Sequence, residues 1–507
     1  MNYNSAILLI VAPLLMAFLS LPIGMFNKRV PALLLVLTNA FCFFFSTYLL
    51  TIVALKGPLV SVISGFEPPF GINLVLTYTS LLLLSLIYLI ILAASVVFVS
   101  KKTDENTVKV SSLLFLFTAS ASGLLLTGDI FNMFVFFEIF AVANISLITL
   151  NKNKSSLKGA FKYLLLSSIG SAFFLFAIGM IYGTLGTLNI AEIGLRFHEL
   201  SPLTGSFIFI MFLGAILSET ETFPFNFWIT DSYGGARNFV NILLGSASSV
   251  AALYVFFRIF LTIIGYPINN RYEFLVSVDG RTIVAFISAF SIIASEVAAL
   301  SSKNVKRVLA LSSASQMGMI LFAFSISDFN SLSAALVLIL NLSLSKAILF
   351  LSSHEIMKGN KEKNIDSLSG GLKRSPLFSI LFIFAALSMV GFPLTLGFYG
   401  KTALIASAVS TSNYFVILIS IVLLASVAEL FYYFRMMHKL FVFRQTDVNE
   451  KPRFNLFYAT SGILLVAVMV LLIVLPKFTE RIVSSAAKDM MDKTTYMERV
   501  LKAGDLK

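Results

Sequence analysis

The stretch GDIFNMFVFFEIFAVANISLITL, from Gly128 to Leu150, is apolar over most of its length and, past Asp129 at its start, holds one carboxylate, Glu138, near its middle. A helix rises about 1.5 Å per residue, so about 20 such residues cross the hydrocarbon core of a bilayer. An ionised acid at that depth is costly. Intramembrane acids therefore face a bundle interior or a wet cavity and mark ion paths; the bland alternative is a hydrogen-bond anchor between helices. More charged groups fall within or beside apolar segments downstream: Glu219, Glu221, Lys306, Lys346 and Lys401. Such a series reads as a route for protons or cations.

Outside this stretch the chain is built the same way. Its 507 residues are 58% hydrophobic and 12% charged, more apolar than a soluble domain requires. Backbone groups in lipid must pair within the segment, so the apolar runs are helices, and the alternation of a membrane barrel is absent. The N-terminal run reads as a first span rather than a cleavable signal. The net charge of +12 comes mostly from loop Lys and Arg, which points to membrane orientation rather than nucleic acid. The single Cys42 cannot ligate an iron–sulfur cluster, and His198, His354 and His438 are too far apart in sequence for a metal motif. No phosphate-binding loop is present. The expected chain carries no cofactor, no metal and no catalytic centre of its own.

The fold class expected is an all-α polytopic membrane protein with about fourteen transmembrane helices. They fall near 5–26, 31–55, 74–100, 108–127, 129–150, 157–183, 203–228, 238–266, 281–302, 305–326, 331–353, 377–409, 413–440 and 455–476. A Gly/Pro-containing loop, Gly57 to Gly71, separates spans two and three. Spans seven and twelve are interrupted. The first reads GAILSETETFPFNFW with Pro224 inside it, the second SMVGFPLTLGFYGKTAL with Gly391, Pro393 and Gly397. Paired interrupted spans in two halves point to inverted repeats with a site at the breaks. A weaker pairing sets Phe161-Lys162-Tyr163 beside Ser345-Lys346-Ala347. The chain thus divides into a three-helix segment (1–106), two five-helix repeats (107–266 and 280–442), and a last helix with an amphipathic charged tail (443–507). That tail reads as a surface helix against a partner or the membrane interface.

Loop charge alternates. Lys28 and Arg29; Lys101, Lys102 and Lys109; Lys152, Lys154 and Lys158; Lys303, Lys306 and Arg307; Lys358, Lys361, Lys363, Lys373 and Arg374; and Arg444, Lys451 and Arg453 all follow odd-numbered spans. The other loops carry chiefly Arg196, Arg271 and Arg281. By the positive-inside rule the odd loops are cytoplasmic and both termini lie outside.

Several motifs in order carry a resemblance. They are FFEIFAVANISL around Glu138, the run from Lys162 to Leu188, Pro224 with Trp228, Tyr254 with Arg258, NVKRVLALSSASQMG from Asn304 to Gly318, SKAILF from Ser345 to Phe350, and GFPLTLGFYGK from Gly391 to Lys401. The chain resembles the antiporter-like subunits of respiratory complex I, of Mrp cation/proton antiporters, and of membrane-bound hydrogenases and sulfane sulfur reductases. The resemblance implies a proton route along the membrane midplane. On it Glu138 is the first-half acid, Lys306 and Lys346 are central relays, and Lys401 is the exit-side group. Lys306 also fits an ordinary cytoplasmic flank, since it stands at a helix start beside Arg307.

The chain departs from the family's pattern at places that matter. Glu219 stands where the family has the span-seven lysine. Val250, Leu342 and Asn226 replace a lysine and two histidines, and Arg237 and Phe239 replace prolines. Glu219, Thr220, Glu221 and Thr222 then offer oxygen ligands to a hard cation such as sodium, or one acid stays protonated and the segment is a plug. The resemblance implies a subunit of a multisubunit respiratory-type oxidoreductase in a prokaryotic plasma membrane. It would move protons or Na+ beside other membrane and peripheral subunits that hold iron–sulfur clusters. A non-conducting structural subunit is the alternative, and a stand-alone cation/proton antiporter ranks last.

Overall fold

The protein is described by a computed structural model covering residues 3–63, 66–100, 106–265, 279–360, 363–442 and 454–502. The loop cations Lys101, Lys102, Arg271, Lys361, Arg444, Lys451 and Arg453 lie outside those residues. Twelve described helices are long and apolar enough to cross a membrane. Spans one to six are Ser5–Phe26, Val30–Lys56, Tyr78–Val99, Thr107–Leu126, Ile130–Thr149 and Lys154–Leu185. Span eight is Asn238–Ile263, nine to eleven are Gly280–Ser301, Val305–Ile326 and Phe329–Ile356, and thirteen and fourteen are Asn413–Phe441 and Leu456–Val474. Two more crossings are each made of two shorter helices. Span seven is Pro202–Leu217 followed by Ile229–Gly235, and span twelve is Pro376–Val390 followed by Leu396–Thr411. The integral membrane fold read from the sequence, with seven and twelve broken, is the fold observed.

Local chemistry sets the ends of these helices. Asp129, Asn153, Asn304 and Asp328 each accept a backbone N–H from the first turn that follows, the role for which short polar side chains are favoured. The Gly/Pro-containing loop after span two is more ordered than its composition suggests. Leu59–Val62 and Asn73–Leu76 pair as antiparallel strands, β1 and β2. Span three consequently starts at Tyr78, behind a capping box made by Thr77 and Ser80, and residues 74–76 belong to the hairpin.

The inverted repeat is written in the backbone hydrogen bonds. Ile130 N–H donates to Leu188 O and Ile190 N–H to Gly128 O, both at 2.9 Å; Val305 N–H donates to Lys363 O at 3.0 Å and Ile365 N–H to Lys303 O at 2.9 Å. Each residue of the second set stands 175 positions after its counterpart, as 305 stands to 130 and 365 to 190. Five crossings separate the two sets. An odd number places them on opposite faces of the membrane, so the second repeat is the first turned over. The same offset sets Lys346 against Ser171 on span six. The pairing of Phe161-Lys162-Tyr163 with Ser345-Lys346-Ala347 is therefore corrected: those segments lie at different depths in their repeats.

The tail also differs from expectation. Pro476–Met491 and Lys493–Leu501 are amphipathic helices, but their apolar side is buried on their own chain, with Val483, Ala486, Ala487, Met490, Tyr496 and Val500 in the core. Asp489 accepts the Thr79 N–H at 2.9 Å, and the Tyr496 ring lies 4.3 Å from the Arg258 guanidinium.

Candidate functional site: a buried polar row

The repeats place both breaks against spans that carry charge, and the charged groups form a row. At one end Glu138, half-buried on span five, accepts a hydrogen bond from Ser171 on span six. Next comes the break of span seven. After Leu217 the chain leaves the helix, so its backbone and side chains face inward: Ser218, Thr220 and Thr222 are fully buried, and Glu219 and Glu221 are 6% and 2% exposed. Glu219 accepts from the Tyr163 hydroxyl of span six, whose ring stacks on Trp228 with centroids 4.1 Å apart. Glu221 accepts from the Tyr233 hydroxyl. It does so with φ at 59°, in the left-handed region that a residue with a Cβ enters only when its surroundings demand it. The Thr220 and Thr222 hydroxyls pair with each other at 3.0 Å. The two acids thus point to separate tyrosines. Among the described residues no three His, Cys, Asp or Glu side chains converge to hold a metal ion.

The second repeat continues the row. Tyr233 stacks on Phe350, ring centroids 5.4 Å apart, one turn from Lys346 on the same helix. Lys346 is fully buried. Its ammonium donates to Leu309 O at 2.7 Å, to Ser312 Oγ, and to Tyr433 OH at 3.3 Å. Glu221, Glu296 and Glu429 all lie within its electrostatic reach. Beyond it, Gln316 Nε2 donates to Glu429 Oε1 at 2.9 Å, and Lys401 Nζ lies 2.7 Å from Glu429 Oε2. Lys401 also donates to Met389 O and Val390 O at 2.9 and 3.0 Å. These are the last carbonyls of the first half of span twelve, where the helix dipole favours a cation. The break of that span is set by Gly391, in the left-handed region at φ 86°, with Leu394 at φ 67° beyond Pro393. At Gly397 the next helix presses so close that an added Cβ would stand 1.8 Å from Ser388 O.

The structure brings Glu138, Glu219, Glu221, Lys346 and Lys401 into this row, with Thr220, Thr222 and Pro224 in the first break. Lys306 stands apart. Its ammonium donates to Ala236 O at 2.9 Å, at the end of span seven. Near it Asp231 pairs with Lys162 at 2.7 Å and Lys158 at 3.5 Å, with Arg307 at 3.7 Å. The sequence reading missed Glu296 and Glu429. Both are acids inside apolar spans, the signal already used for Glu138. It also missed the hydroxyl partners Tyr163, Tyr233 and Tyr433, which no local pattern distinguishes from core aromatics.

Comparison with known proteins agrees with this fold. The family described as NADH:quinone oxidoreductase/Mrp antiporter, transmembrane, matches residues 127–427. The chain belongs to that family. It is 27% identical to a Na(+)/H(+) antiporter subunit of Bacillus subtilis (strain 168), over 98% of this chain and 99% of that one. It is also 27% identical to an NADH-quinone oxidoreductase subunit of Desulforudis audaxviator, over 83% and 85%. Among solved structures, a chain of the membrane-bound sulfane sulfur reductase, an archaeal respiratory membrane complex, superimposes with a TM-score of 0.88 at 28% identity, over 98% of this chain and 100% of its own. A chain of the Mrp complex from Dietzia shares the fold at the same TM-score and 20% identity, over 98% and 99%.

Proposed function

We propose that this family member is an antiporter-like membrane subunit of a multisubunit complex, coupling electron transfer on partner subunits to translocation of protons or Na+. Iron–sulfur clusters on the partners would supply the redox chemistry. The observation that carries the reading is the row itself: acids, tyrosine hydroxyls and two lysines from Glu138 to Lys401, lying across both broken spans. A partner is supported by the face on which Glu138 lies. Phe131, Val135 and Val142 share its stripe of span five and are 44%, 37% and 57% exposed. A half-buried acid beside such a stripe is stable against protein or water, not against acyl chains. The complex would sit in a prokaryotic plasma membrane.

A non-conducting structural role is the second reading, favoured by Val250 and Leu342. Both are fully buried where the family has groups that bind protons. The test is proton and Na+ uptake by everted membrane vesicles containing the assembled complex, with Lys346→Ala and Lys401→Ala introduced separately. Conduction through this chain predicts that each variant assembles and loses translocation. Undiminished uptake in both variants would select the structural role.

A further inference from the structure

The row has a branch that the resemblance does not supply. Glu296, on span nine, is 1% exposed, and neither carboxylate oxygen has a hydrogen-bond partner among the described residues. Ser315 on span ten and Tyr432 on span thirteen face it, and their hydroxyl oxygens are likewise buried without a partner. The charged and titratable groups around it are Glu429, Tyr432 and Tyr433 from span thirteen, Lys401 from span twelve and Lys346 from span eleven. Span nine also touches the first break: Ser291 Oγ accepts the Phe223 N–H at 3.1 Å, and Ser295 Oγ lies 3.5 Å from Asn226 Nδ2. One helix therefore joins the break of span seven to the Lys401–Glu429 pair.

Lys401 is already committed. It donates to Glu429 and to two helix-end carbonyls. A second carboxylate beside that pair, buried and faced by the two neutral hydroxyls of Ser315 and Tyr432 with no cation of its own, is far costlier ionised than neutral. We propose that Glu296 holds a proton in reserve for the Lys401–Glu429 pair, an inference that rests on the proposed function. While the pair is closed, Glu296 keeps the proton. When Lys401 gives up a proton toward the exit and is left as a neutral amine, the O–H bond of Glu296 breaks and an N–H bond forms on Lys401. The new carboxylate is stabilised by the restored ammonium, and it is reprotonated from the span-seven side past Ser295 and Asn226.

The test uses the complex purified through a tag on this full-length chain. Infrared spectroscopy of the wild type should show a protonated-carboxyl C=O band that Glu296→Gln removes. The same variant in everted vesicles should lower proton flux by roughly tenfold or more, short of the largest costs of losing a positioned proton donor. Glu296→Asp should keep a shifted band and recover part of the flux, and it carries the test if the Gln variant does not assemble. A spectrum unchanged by substitution overturns the proposal, as does loss of the band with flux intact. The proposed function fails separately, if Lys346→Ala and Lys401→Ala leave flux intact. The infrared band reports the Glu296 proton whether or not the chain conducts.

Discussion

At the scale of single residues, the pair with the clearest consequence is Lys401 and Glu429, 2.7 Å apart with side chains 11% and 1% exposed. Removing one partner of a buried pair leaves an uncompensated charge and costs about 3–5 kcal/mol, whereas replacing both with apolar groups costs far less. Lys401→Ala is therefore expected to lower the thermal midpoint of the complex and abolish translocation. The double variant Lys401→Met/Glu429→Met should recover the midpoint and stay inactive; recovered translocation there would remove Lys401 from the route. Glu219 invites a different substitution. Glu219 itself stands where the resemblance places an ammonium, it accepts from the Tyr163 hydroxyl, and each acid of the segment has its own tyrosine. Glu219→Lys is thus expected to leave proton flux unchanged or raised. Loss of Na+-dependent flux alone, measured with 22Na uptake in vesicles, would instead assign a cation site to Glu219, Thr220, Glu221 and Thr222. Glu138 was legible because an acid interrupts an apolar run. Its partner Ser171 was not, because that contact joins residues 33 apart and depends on how two helices lie.

At the scale of elements, the two breaks show what a sequence does and does not disclose. Pro224, Gly391, Pro393 and Gly397 mark where helices cannot continue. They say nothing of which groups the freed backbone will meet. In span twelve the freed carbonyls of Met389 and Val390 meet Lys401; in span seven the freed segment turns its acids to tyrosines. The closeness at Gly397 gives a direct test. Since an added Cβ would stand 1.8 Å from Ser388 O, Gly397→Ala must push the halves of span twelve apart. Overpacking of this kind costs about 1–3 kcal/mol. A lowered thermal midpoint with weakened translocation is expected, and an unchanged midpoint would show that the break can relax. The tail was legible as an amphipathic helix, but amphipathicity does not name the surface it covers. Arg258 names it: fully inside the bundle at 4% exposure, it is shared between the Tyr254 hydroxyl at 2.8 Å and the Tyr496 ring. Truncation after Leu475 would strip that cover and should impair assembly, read by co-purification of partner subunits.

At the scale of the whole molecule, orientation follows from parity. Twelve unbroken and two broken crossings among the described residues make an even number, which predicts that both termini share one side. Loop charge then chooses it. Among described residues, Lys158 after span five and Arg307 after span nine both reach Asp231, at 3.5 and 3.7 Å, so one face gathers the cations of separate loops. Positive charge is retained on the cytoplasmic side, so we propose that both termini lie outside. The only native cysteine, Cys42, is fully buried, leaving a quiet background for labelling. Ser5→Cys and Lys477→Cys, both at exposed positions, should react with a membrane-impermeant maleimide in intact cells, while Lys152→Cys, also exposed, should react only after permeabilisation. The reverse pattern would invert the molecule and exchange the entry and exit sides of the row. A split result, with Ser5 and Lys477 on opposite sides, would require one of the broken spans to re-enter its own face rather than cross, and the route past Glu221 to Lys346 would then open to one compartment alone.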